Sequence, residues 1–157
     1  MAKISRAERE ANKQRFDALV LNIFLLEGWE AVTLTRLAQE TGTRMSTLQG
    51  YYPTRRDLGN ALTGKVFPHF LSELNFESEK SFRDSWMHAL AHNNIFRGVI
   101  TLLLESCVMT DTPEAAYQGL LRLKQLCQDS FGDEHIINCI LGESVVYLAS
   151  QTPASKS

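Results

Sequence analysis

Between Thr41 and Leu58 the sequence reads TGTRMSTLQGYYPTRRDL. Within it Arg44, Met45, Ser46, Thr47, Gln49 and Tyr51 bring guanidinium, hydroxyl and amide groups together with little apolar area. On one helix face, such groups suit base edges and phosphates. Arginine can pair with guanine and glutamine with adenine, each good bidentate contact giving roughly 1–3 kcal/mol of discrimination. The plainer alternative is a solvated helix face. Arg55 and Arg56 shift the balance, because they fall in the first turn of the next helix, where the helix dipole disfavours cations by roughly 0.3–1 kcal/mol. A nucleic-acid phosphate at that turn would compensate. Asp57 could also neutralise the pair with no ligand present.

Other chemistry is poorly supported. Asp84, His88 and His92 share a helical face at i, i+4 and i+8, but with no fourth partner and opposite the Phe82/Trp86 stripe they read as solvated side chains. No Gly-x-Ser-x-Gly elbow or comparable nucleophile setting is present. The expectation is a non-enzyme with no cofactor and no metal.

The elements that position the polar face are all helical. Apolar residues at 16, 19, 20, 23 and 24 keep a 3.6-residue period over Arg6–Glu27, and Gly28 stands where a C-terminal cap is expected. Thr33 can cap a second helix, Leu34–Glu40. Gly42 permits a tight turn, a third helix spans about Arg44–Tyr51 with Thr43 as its cap, and Pro53 stops it. Two short helices with glycine between them fit a helix-turn-helix, with Leu37 and Leu48 facing Phe16, Val20, Ile23 and Phe24. Thr54 and Asp57 can cap a fourth helix, and Phe67, Phe70, Leu71 and Leu74 extend its stripe past Pro68. No period-2 strand is found, so the fold is all-α: an N-terminal three-helix domain over residues 1–64, then a short helical bundle over 65–150, and a disordered polar tail over 151–157.

Charge follows the same division. Residues 1–65 hold ten Lys/Arg against seven Asp/Glu, a net +3, and the remainder holds six against eleven, a net −5. A basic head on an acidic body suggests a polyanion for the head. The chain has 157 residues, 44% of them hydrophobic, enough for a packed core without staples. Cys107, Cys127 and Cys139 lie in or beside apolar runs and read as buried reduced thiols, which points to the cytoplasm. No segment reads as a signal peptide or a membrane span.

In the body, Phe82, Trp86 and Leu90 mark a fifth helix. IFRGVITLLLESCVM forms a nearly all-apolar one, Thr112-Pro113 opens another, and Ile136–Leu148 is the last. Trp86, Met87, Phe96, Cys107 and Met109 could line a small pocket for a hydrophobic effector, although such side chains are more often core filling. The last two helices are apolar on more than one side. Leu120, Leu121, Ile137, Ile140, Leu141 and Leu148 therefore form the candidate surface for pairing with a second copy.

The amphipathic first helix ending in EGWEAVTL, followed by TRLAQETGTRMSTLQGYYPTRRDLGNAL, resembles the tetracycline-repressor (TetR) family of transcriptional regulators over about residues 10–64. YYPTRRDL is similar to its quorum-sensing branch. The resemblance implies that Thr33, Thr35 and Arg55 hold phosphates and that Arg44, Met45, Ser46 and Thr47 face bases or the adjoining backbone. It also implies that Tyr51 reaches a phosphate and that Tyr52 is a core aromatic. Gln49 stands where the family usually has a phosphate-binding tyrosine. A homodimer on double-stranded DNA, reading a palindrome, is the expected arrangement. The competing class is a helical interaction protein that heterodimerises with a true regulator or holds a small molecule, which the missing tyrosine and the short body favour.

Overall fold

The computed structural model describes residues 3–108 and 114–151. They form helices α1 (Arg6–Glu27), α2 (Leu34–Thr41), α3 (Met45–Tyr51), α4 (Arg55–Asn60), α5 (Phe67–Ser72), α6 (Glu79–His92), α7 (Asn94–Val108), α8 (Glu114–Phe131) and α9 (Ile136–Ser150). One 3-10 turn, Trp29–Ala31, separates α1 from α2. Among the described residues there is no strand, and no helix is long and apolar enough to cross a membrane. Met109, the expected helix start at Thr112-Pro113 and the tail beyond Gln151 lie outside the described residues.

Local chemistry sets the helix limits. Ser5 and Glu8 form a capping box at the start of α1, each side chain accepting from the other's backbone N–H at 3.1 and 3.2 Å. Thr33 Oγ1 accepts from the Arg36 N–H at 3.0 Å, and Gly42, at φ 68°, ends α2 in the left-handed region that L side chains avoid. Thr54 and Asp57 form a second capping box on α4.

Two expectations about helix ends are corrected. Thr43 does not cap α3. The helix begins one residue later, Arg44 is its N-cap residue in extended conformation, and no side chain caps it. The fourth helix does not run on through Phe67 either. It stops after Asn60, Gly64 turns the chain at φ 78°, and α5 starts afresh with Pro68 in its first turn, where a missing N–H costs nothing. The apolar stripe continues in register across the break, so the periodicity concealed it.

The chain forms two compact units, one of residues up to 72 with 94–106, the other of 73–93 with the residues from 107 onward. The α7 segment 94–106 thus groups with the N-terminal helices, whereas the sequence assigned it to the body. In the first unit Phe16, Val20, Ile23, Phe24, Leu37, Leu48, Tyr52, Leu58 and Leu62 make one core. α7 approaches it closely at two glycines. A Cβ on Gly98 would stand 3.1 Å from the Phe24 ring, and one on Gly59 would stand 3.0 Å from Leu102. Phe96 stacks on Phe70 with ring centres 4.4 Å apart.

In the second unit Phe82 meets Phe76, Trp86 and Phe131. Trp86 is fully buried and donates its indole N–H to Ser144 Oγ at 2.7 Å. That hydroxyl in turn donates to the Ile140 carbonyl, so neither polar group is left unpaired in the core. Ile137 and Ile140 are also fully buried here. The sequence placed both on the candidate pairing surface, and their burial takes them off the open surface of the chain. Of the cysteines only Cys127 is buried, its thiol pushed up to about 11 first by desolvation and then by Asp133; Cys107 and Cys139 are exposed.

Candidate nucleic-acid interface

α3 rests on the core through Leu48, which is fully buried, and through Tyr51 at its end, and it leaves the residues between Arg44 and Gly50 other than Leu48 exposed. Arg44, Ser46, Thr47 and Gln49 are exposed, and Met45 retains 45% of its surface. Arg44 is not spent on capping, since α3 has no side-chain cap. Thr35 is exposed on the first turn of α2, while Thr33 is half-buried with its oxygen engaged in the cap. The structure therefore brings Arg44, Met45, Ser46, Thr47 and Gln49 onto one open helix. Arg44, Ser46, Thr47 and Gln49 present donors and acceptors there, with Met45 as the one apolar side chain among them.

Two expected site residues are placed differently. Tyr51 is 8% exposed. Its ring meets Phe16 edge-on at 5.1 Å, the Arg9 guanidinium lies 4.4 Å above its centre, and its hydroxyl accepts from Asn12 Nδ2 at 3.3 Å. The ring is a core element, as is that of Tyr52, whose hydroxyl donates to Asp17. Burial first, and the Asp17 carboxylate second, hold the Tyr52 phenol well above the ordinary tyrosine range.

Arg55 is half-exposed but folded back on its own unit. Nη1 donates to the Val32 carbonyl at 2.9 Å and Nη2 to the Trp29 carbonyl at 3.2 Å. The guanidinium lies 4.2 Å over the Trp29 ring, and Nε is 3.8 Å from Glu105 Oε2. The positive charge at the α4 start is thus compensated by protein groups, including the Asp57 cap, and needs no external anion to explain it.

Sequence reasoning missed Arg9 and Glu105. Arg9 Nη2 donates to the Gly50 carbonyl at 3.0 Å, tying α1 to the end of α3. Its signal was available in the run Arg6, Arg9 and Lys13, which recurs at i, i+3 and i+7 on α1. Arg36 is bound within the fold, its guanidinium clamped by Glu27 and Glu40 at 2.8 Å each. The hydrogen bonds to Glu27, then to Glu40, raise its pKa further.

Of the residues expected to line an effector pocket, Met109 lies outside the described residues. Trp86 and Phe96 are each fully packed, in different units, and Cys107 is exposed at the end of α7. Met87 lines an open groove with Cys139, Gly142, Glu143, Val146 and Tyr147. Asp84 pairs with Lys80, and the His88 ring lies tilted against that of His92 with ring centres 4.6 Å apart.

Residues 63–148, more than half of the chain, match the family model described as the tetracycline repressor LuxT C-terminal domain. The chain belongs to this LuxT-type tetracycline-repressor family. That family is one of transcriptional regulators. For a LuxT-type chain the match spans α5 through most of α9, so the resemblance of residues 10–64 and the matched domain adjoin in sequence. A comparison with curated proteins gives no match.

Proposed function

We propose that this LuxT-type protein is a DNA-binding transcriptional regulator, most simply a repressor, that reads a palindromic operator as a homodimer. The observation that carries the reading is the outer face of α3, where five consecutive non-core side chains, Arg44, Met45, Ser46, Thr47 and Gln49, are exposed around a buried Leu48. α2, the Gly42 turn and α3 serve as the helix-turn-helix. Arg44 and Gln49 are the base-reading pair, and Thr33, Thr35 and Arg55 approach the backbone. A net +3 over residues 1–65 favours a polyanion on this side.

The dimer supplies the second half-site reader, about 34–36 Å from the first. Its surface is the apolar side of α8 and α9: Tyr117, Leu121, Val145 and Val146 are exposed, and Leu120, Leu141 and Leu148 flank them half-buried. Large exposed apolar side chains on adjacent helices mark a protein-binding face. Relief by a small hydrophobic effector rests on family kinship alone, because Trp86 and Phe96 are fully packed.

Selection from a random pool of DNA duplexes tests the reading. Enrichment of an inverted repeat, with affinity falling steeply as salt rises, is the expected result. A stable dimer that enriches no sequence and shows no salt-dependent duplex binding would overturn it in favour of a helical interaction protein.

A further inference from the structure

Glu105 stands 50 residues from Arg55 in sequence and on a different helix, yet its carboxylate is aimed at the α4 start. The Trp29 indole N–H donates to Glu105 Oε2 at 2.9 Å, which fixes the same oxygen that lies 3.8 Å from Arg55 Nε. The Trp29 ring also carries the Arg55 guanidinium at 4.2 Å, and the Trp29 backbone carbonyl accepts one of its donors. One tryptophan thus orients both members of an acid–base pair. α7 itself is held against this region by the close approach of Gly98 to Phe24 and of Leu102 to Gly59.

A phosphate and this carboxylate compete for one guanidinium. Both are anions, and a phosphate brought to Arg55 while Glu105 keeps its place meets like-charge repulsion as well as a partly neutralised cation. Both side chains of the pair are nearly half-exposed, so the contact is weak enough to be displaced.

We propose that Glu105 is a positioning residue for DNA binding: anchored by Trp29, it holds Arg55 inward and withholds that charge from the DNA backbone, setting a ceiling on non-specific affinity. The inference rests on the DNA-binding reading and deepens it. Specific binding, which gains from α3, can displace the carboxylate; random sequence gains less and leaves Arg55 withheld.

The test is Glu105→Gln, which keeps an oxygen for the Trp29 N–H and removes only the charge. Fluorescence anisotropy on a labelled mixed-sequence duplex, repeated over a salt series, gives affinity and salt slope. Glu105→Gln is expected to bind about threefold tighter, with the log–log salt slope steeper by about 0.9, one more phosphate engaged. In an Arg55→Ala background both gains should vanish, because the cycle isolates the pair from the general benefit of deleting an acid. A gain that persists without Arg55, or an unchanged salt slope, overturns the proposal while leaving the regulator intact. If neither wild type nor variant binds the duplex at low salt, the DNA-binding reading fails, and this proposal with it.

Discussion

The outer faces of α3 and α9 are built alike underneath and oppositely on top. Each helix is fixed by fully buried residues on one side, Leu48 for α3 and Ile137, Ile140 and Ser144 for α9. The sides turned away from the core differ. α3 offers Arg44, Ser46, Thr47 and Gln49, whereas α9 offers Val145 and Val146, the latter 69% exposed. Exposure alone says that a surface is free. The chemistry of what is exposed distinguishes a partner recognised by directed hydrogen bonds from one joined by removing apolar area from water.

The largest effects should come from beneath the two faces. Leu48→Ala and Ile140→Ala each empty a packed site, and each should cost about 2–5 kcal/mol in denaturant unfolding. A loss under 1 kcal/mol at either would mean that the helix is not anchored as described. Next comes the apolar face itself. Val145→Asp with Val146→Asp should leave the monomer's fold intact but weaken dimerisation by roughly 3 kcal/mol, about a hundredfold, in analytical ultracentrifugation. An unaltered dimer would place the pairing surface elsewhere.

On the polar face, Arg44→Ala should cost about 1–3 kcal/mol on the selected operator and relax one base position, with no change in melting temperature because Arg44 caps nothing. Unchanged selectivity would remove it from base readout. The smallest effect is expected at Thr33→Ala, about 1 kcal/mol of stability from loss of the α2 cap. Circular dichroism melts would detect it, and no shift would show that the cap contributes little.

How much of this was legible in the sequence depends on range. The Thr33–Arg36 and Thr54–Asp57 caps operate over three residues and were read as patterns, whereas the equally local Ser5–Glu8 box was not. The surroundings of Arg55 were not, because Trp29 is 26 residues away along the chain and Glu105 is brought there by tertiary packing. Without those partners, two arginines in a first turn looked like a demand for an external anion.

α9 misled for a different reason. Its apolar residues surround the axis, so periodicity could not select the inner side, and the position that goes fully inward includes a serine. A polar residue accepted into the core because an indole waits for it cannot be recognised from hydrophobicity. Ile137 and Ile140 were therefore assigned outward when Val145 and Val146 are the exposed pair. The Gly64 break went unseen because an unbroken stripe flanks it, while Gly42, between two short helices, announced its turn.

Each compact unit contains one of the chain's two tryptophans, in contrasting surroundings. Trp29 lies beneath a guanidinium with its N–H on a carboxylate, and Trp86 is dry and bound to a hydroxyl. The protein thus carries a separate intrinsic fluorophore in each half. Replacing either indole by phenylalanine would let the remaining emission report the melting of a single half, and show whether the two come apart in one step or in sequence.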